Sequence, residues 1–369
     1  MNTSKMDIKG YIPLGAPLIW EEADENEAPG RTFVSFTTNW YAKRAGVDFS
    51  EPFHTDPLYR FQALRKMKET VREAFPEAAC FQEHDAGGYE RECATVSGVF
   101  GVCLIAMLYG IKPTYSPNNW PGIHPREHLT IDQIKALKPV DVLNHPVTEQ
   151  LFGQMDIISK EFGVIDGFLN YQGVLNNAFK IRGSEIMMDM IDDPEMCEDL
   201  FDNITETMIG LAKLVDRRQR ETQPRADLFV TSNCVINMIS PKLYRELLLS
   251  RDLRIAGSFD GFGVHSCNWV LDPYLEVFSQ AENLGYIDFG FHSDHRSINK
   301  YFTGVRKTVF YDPMNLVTKP FEEVRRDIEM LGDTLIGFDL CLPDTDLAVP
   351  DDKIRDFIDM ADQIVQPVK

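Results

Sequence analysis

The chain has 369 residues, 44% of them apolar and 25% charged, the balance of a soluble globular protein and not of a disordered one. A formal net charge of −20 repels phosphate backbones and anionic lipid, which weighs against nucleic-acid and membrane-surface roles. No run approaches the roughly 20 apolar residues of a membrane span, and the opening MNTSKMDIKGYIPLGAPL has no apolar core ending in a small-residue cleavage site, so no export signal is read there.

Residues 1–75 read as an extension packed on the main domain. They hold an acidic loop (EEADENEAPG), one β-like run (RTFVSFTTNW) and a charged helical stretch (PLYRFQALRKMKETVREAF). From 76 to 369, β-like runs alternate with helical patterns. Strands are expected at AACFQEHD (78–85), GVIDGFLN (163–170), DLFVTSN (227–233), GFGVHSC (261–267), GYIDFGFHSD (285–294), KTVFYDP (307–313) and TLIGFDLCLP (334–343). VCLIAMLYGI (102–111) fits strand or helix equally. Most of these runs lack strict alternation, as strands buried on both faces of a parallel sheet do. Between them, Thr130 with Gln133 makes a capping box, and Asp193-Pro194, Ser240-Pro241 and Asp272-Pro273 each place a side-chain acceptor before a first-turn proline. Gly285 and Gly332 fall where helices are expected to stop. About eight strand–helix repeats predict a (β/α)8 TIM barrel with an N-terminal extension, a single structural domain overall, and a doubly wound open sheet is the alternative.

Seven cysteines, an odd number spread thinly, do not make a disulfide framework and point to a reducing cytoplasm. Cys80, Cys103 and Cys197 read as small core hydrophobes, and Cys234 as packing. His265-x-Cys267 and Cys341 differ, because each lies at the end of a predicted strand. Imidazole with two thiolates is a zinc ligand set, and three protein ligands with one open position mark a catalytic site. In a barrel the C-terminal strand ends converge on one mouth. Glu83, His84 and Asp85, Asn233, His292 and Asp294 (with His295 in the same loop), and Asp312 also lie at predicted strand ends. Tyr115, Trp120, Tyr171 and Trp269 lie near the expected mouth loops, where they either pack or sandwich an aromatic substrate. A site with two thiolates suits binding a thiol as its thiolate or polarising an ether oxygen more than hydrolysis.

From the first predicted strand to the C-terminus the chain resembles the uroporphyrinogen decarboxylase superfamily, and within it the corrinoid-dependent zinc methyltransferases. The resemblance rests on GVLNNAFKIRGSEIMMDMIDDPEMCEDLF, ISPKLYRELLL, VHSCNW, GVRKTVFYDPMNLV and FDLCLPDT. The His-x-Cys…Cys motif of these methyltransferases falls on His265, Cys267 and Cys341. The decarboxylases' Arg-rich N-terminal block RQAGRYLPEY has no counterpart in PLGAPLIWEEADENEAPG, so nothing here pairs with a porphyrinogen's carboxylates. An acidic pair usual before the ISP helix is replaced by Ser232-Asn233-Cys234. The resemblance implies a Zn2+ held by His265, Cys267 and Cys341, and methyl transfer between a small methylated substrate and the cobalt of a corrinoid (cobalamin) carried by a transient partner protein. A methoxylated aromatic ether is the favoured substrate, giving O-demethylation, and a thiol is the other. On this expectation Glu83, His292 and Asp294 serve proton transfer, while His84, Tyr171, Asn233, Trp269 and Asp312 line the substrate site. A lyase of the decarboxylase type on the same barrel, and a non-catalytic corrinoid- or tetrapyrrole-binding barrel, are the rival readings.

Overall fold

The computed structural model describes residues 8–10, 18–20, 30–78, 94–223 and 228–365. Two short strands, β1 (Ile8–Gly10) and β2 (Leu18–Trp20), pair antiparallel, and β4 (Pro113–Ser116) with β5 (Asn119–Ile123) forms a second antiparallel hairpin. The remaining six strands form one parallel sheet. They are β3 (Thr32–Phe36), β6 (Leu228–Ser232), β7 (Gly261–His265), β8 (Leu284–Gly290), β9 (Arg306–Phe310) and β10 (Phe338–Thr345), in the spatial order β3-β10-β9-β8-β7-β6. Helices alternate with these strands, an α/β arrangement of TIM-barrel type. The segments around Thr95 and Asp166 form an isolated parallel bridge, where Val96 N–H donates to the Asp166 carbonyl at 2.9 Å, rather than a continuous strand pair.

Several expectations shift. The RTFVSFTTNW run of the 1–75 segment is a full member of the main sheet, since Cys341 pairs with Phe33 and Leu342 with Val34. The 102–111 run is helical, a 3-10 turn at Gly101–Cys103 followed by a helix at Leu104–Met107. The 163–170 run forms no continuous strand. Gly167 there has φ +114°, and a Cβ on it would meet Thr95 Oγ1 at 2.1 Å, so the backbone approaches too closely for any side chain. Residues 79–80 and the rest of the AACFQEHD run lie outside the described residues.

The caps behave as expected in three of four cases. Thr130 and Gln133 make the reciprocal box, Asp193 accepts from Met196 N–H ahead of the helix Pro194–Arg220, and Ser240 accepts from Leu243 N–H. Asp272 opens only a short turn, Asp272–Tyr274, and its carboxylate instead accepts Asp294 N–H at 2.7 Å. Gly285 lies inside β8, and the helix Phe321–Thr334 runs through Gly332.

The two faces of the sheet have different contents. Val34, Phe36, Val264, Ile287, Phe289, Val309, Leu340 and Leu342 join the large apolar core shared with the helices. Their strand neighbours, on the opposite face by the period of two, include Phe33, Phe310 and Cys341, which form a small apolar cluster of their own. Tyr286, Asp288, Arg306, Thr308 and Asp339 alternate with core residues in the same way and are all buried. Arg306 Nε donates to Asp339 Oδ2 at 2.6 Å, and Arg31 N–H donates to Asp339 Oδ1 at 2.8 Å. The inner face is therefore polar toward the strand starts, with Arg306 and Asp339 paired, and it carries sulfur and imidazole toward the strand ends.

Candidate metal centre

Three adjacent strands, β6, β7 and β8, build the site. Ser232 pairs with His265, and beyond it Asn233 N–H donates to the His265 carbonyl at 2.8 Å. The chain then turns into the 3-10 segment Cys234–Met238. Asn233 is buried, and its amide donates to Asp252 Oδ2 at 2.8 Å, the oxygen that also accepts the Tyr244 hydroxyl at 2.6 Å. On the other side Val235 N–H donates to Asn176 Oδ1 at 3.1 Å. Gly173 lies so close that a Cβ there would meet Asn233 Oδ1 at 2.0 Å. Cys234 is thereby fixed from both flanks.

On β7, His265 is the last strand residue and Cys267 has φ +60°, a left-handed conformation unusual for a residue with a Cβ. The turn brings the thiol back toward the imidazole. Cys267 Sγ lies 3.0 Å from His265 Nε2 and 2.6 Å from Cys234 Sγ. One donor atom from each of Cys234, His265 and Cys267 lies within 4.8 Å of the others, and all three residues are half-buried.

β8 supplies the anchor. The pairing of Val264 with Ile287 sets His265 beside Asp288. Asp288 Oδ2 accepts from His265 Nδ1 at 2.7 Å and from the Tyr286 hydroxyl at 3.1 Å, while Oδ1 accepts Ser266 N–H at 2.7 Å. This commits the Nδ1 proton to Asp288, so Nε2 is the ring atom that faces the sulfurs and would meet a metal, the arrangement that carboxylates impose on metal-ligating histidines.

The electrostatics follow from these contacts. Burial opposes a charge on His265, but the Asp288 carboxylate and the neighbouring sulfurs outweigh it and hold the imidazole well above its ordinary range, so a metal binding at Nε2 would displace a proton there. The contact between the two sulfurs, with help from His265, pulls one thiol down while pushing the other up, and Cys234 is the one lowered. Asp252, beneath Asn233, is pushed up to about 6 by burial, with its two hydrogen bonds acting the other way.

Strand order decides which cysteine joins His265-x-Cys267. β6 is the direct neighbour of β7, whereas β10 lies beyond β8 and β9. Cys234, expected to be packing, thus enters the cluster. Cys341 is not among the converging donors. It is fully buried against Phe33 and Phe310, and burial, then the Asp288 charge, raises its thiol well above the usual range. Phe310 itself lies 5.7 Å ring to ring from His265, so the apolar cluster that holds Cys341 borders the centre.

The remaining sequence candidates scatter. Glu83 and His84 lie outside the described residues, as does Asp85. Asp294 caps the helix His295–Tyr301, accepting from Arg296 N–H and Ser297 Oγ, and these bonds lower its carboxyl, which suits a cap and not a proton donor. His292 is exposed, edge-on to Phe291. His295 is buried, between Thr334 Oγ1 and the Phe291 carbonyl. Asp312 is exposed and caps its own turn through Met314 N–H. Tyr171 stacks on Phe229 at 5.1 Å, Tyr115 stacks on His54 at 5.3 Å, and Trp120 lies 6.1 Å from Phe49, ring to ring. Trp269 is half-buried, edge-on to Tyr274, with its indole N–H unpartnered. Asn233 serves the fold through Asp252.

Two acids were missed. Asp288 is a lone carboxylate inside the apolar run YIDFGF, and a charge in a buried strand beside a His-x-Cys strand was the available signal. Asp344 lies within an irregularity in the β10–β3 register, has φ +47° and donates its N–H to Ser35 Oγ. Water reaches its side chain, yet protein surrounds it, and burial raises its carboxyl while the nearby His265 charge acts the other way.

No family model matches the chain, and no curated protein matches it. Among solved structures it is similar to one described as a methyltransferase from Methanosarcina mazei, with 16% sequence identity and a TM-score of 0.59, over 92% of this chain and 94% of that one. At that identity the likeness is one of fold, and it runs through nearly the whole of both chains. Among the described residues no helix is long and apolar enough to cross a membrane.

Proposed function

We propose that this chain is a zinc-dependent methyltransferase that moves a methyl group between a small methylated substrate and the cobalt of a corrinoid carried by a partner protein. The observation that carries the reading is the Cys234, His265 and Cys267 cluster at the strand ends of an α/β fold shared with a methyltransferase structure. Two sulfurs and an imidazole whose Nδ1 is held by Asp288 form a soft donor set, and that set fits zinc. Zinc, when bound, lowers the pKa of a coordinated thiol and stabilises an alkoxide or phenolate leaving group.

The chain's own residues divide the remaining work. Asp288 holds His265 in the tautomer that presents Nε2, and the Asn233–Asp252–Tyr244 bonds hold Cys234 against Cys267. The favoured substrate is a methyl ether such as a methoxylated aromatic, with a thiol as the other candidate.

The test is metal content after anaerobic purification. About one zinc per chain is expected in wild type and in Cys341→Ser, with loss in Cys234→Ser and Cys267→Ser. Zinc-loaded protein is then screened for demethylation of methoxylated aromatics and for methylation of thiols, with a Co(I) corrinoid. A folded wild-type protein that takes up no zinc would overturn the reading.

A further inference from the structure

Cys234 and Cys267 are 33 positions apart in sequence, yet their sulfurs lie 2.6 Å from each other, closer than two thiols in ordinary non-bonded contact. Both residues are half-buried, so a small oxidant reaches them. Other described cysteines offer no competing partner. Cys103 and Cys197 are buried in the core, and Cys341 is buried against Phe33 and Phe310. His265 Nε2 lies 3.0 Å from Cys267 Sγ, within hydrogen-bonding distance of the pair. Two backbone arrangements impose the approach: the left-handed turn at Cys267 and the Asn233 anchor ahead of Cys234.

We propose that Cys234 and Cys267 are a redox pair that hydrogen peroxide converts to an intramolecular disulfide, reversibly removing both sulfurs from the metal donor set. The last clause rests on the metal reading above, whereas the disulfide itself does not. In the first step one sulfur attacks a peroxide oxygen. An S–O bond forms, the O–O bond breaks, and the departing oxygen leaves as water with the thiol proton, giving a sulfenic acid. In the second step the other sulfur attacks the sulfenic sulfur. The S–S bond forms, the S–O bond breaks and a second water leaves. Two thiols and one peroxide become one disulfide and two waters, so the two electrons lost by sulfur are those gained by oxygen. A dithiol reductant reverses the change by exchange.

The experiment treats chelator-stripped full-length protein with hydrogen peroxide, quenches it with an alkylating agent in denaturant, and maps the peptides by mass. Two of the seven thiols are expected to vanish with the mass of two hydrogens, in a peptide linking Cys234 to Cys267, and dithiothreitol is expected to restore them. Cys341→Ser should cross-link like wild type, and Cys234→Ser should instead accumulate oxygen on Cys267. Wild type that gains oxygen on Cys267 without a link, or links either sulfur elsewhere, would overturn the pair. A parallel sample saturated with zinc separates the two readings. Cross-linking slowed at least about tenfold by zinc supports both. Cross-linking unaffected by zinc keeps the disulfide and sinks the shared donor set.

Discussion

Asp288 offers the sharpest perturbation of the centre, because replacing it by asparagine alters one atom and reverses a tautomer. The Ser266 backbone N–H, 2.7 Å from Oδ1, requires an acceptor at that position, so the amide oxygen of Asp288→Asn settles there. Its NH2 group then faces His265 Nδ1 across the 2.7 Å contact now made by Oδ2. Two donors cannot share that contact, so the imidazole moves its proton to Nε2, the atom turned toward Cys267. Loss of such a carboxylate partner weakens metal binding about 10- to 100-fold, or roughly 1.4 to 2.7 kcal/mol. The assay is competition for zinc against a chromophoric chelator, with thermal denaturation of the metal-free proteins as the control for folding. Asp288→Glu, which keeps an anionic acceptor, should recover part of the loss. Zinc affinity of Asp288→Asn within twofold of wild type, in a protein of unchanged fold, would refute the carboxylate–histidine coupling and with it the assignment of Nε2 as a donor.

Three further outcomes concern stability. Asp252, unfolded near 3.8 and folded near 6, keeps a proton in the native state that the unfolded chain has lost, so stability falls as pH rises from about 4 to about 6 and is level above, by about 3 kcal/mol at most. Urea unfolding of Asp252→Asn should lack that contribution, and an unchanged pH profile would count against it. His54 behaves oppositely. Burial, then the Arg60 charge, lowers it to about 4, so its contribution is complete above about pH 6.5 and is lost toward pH 4, again about 3 kcal/mol, and His54→Gln should flatten that acid limb. Arg306→Met strands the buried Asp339 carboxylate and should cost about 3–5 kcal/mol in unfolding free energy, whereas the double change with Asp339→Leu should recover most of it. A double variant no more stable than Arg306→Met would refute that account.

The sequence by itself determined five of the six strands of the main sheet, the α/β class and two of the three donors. Apolar runs without alternation marked β6 through β10, side-chain caps before proline marked helix starts at Asp193 and Ser240, and His265-x-Cys267 announced a metal-type donor pair. These are local signals, carried by neighbours in the chain. Lateral order in the sheet is not local, and it decided the rest. Because β6 and β8 flank β7, Cys234 and Asp288 converge on His265, while β10, two strands further on, leaves Cys341 in an apolar cluster beside Phe310. The same order drew Thr32–Phe36 out of the supposed extension and into the sheet, against β10. A residue's chain neighbours fix the direction of its strand, but only the strands hydrogen-bonded on either side fix which side chains meet at its end.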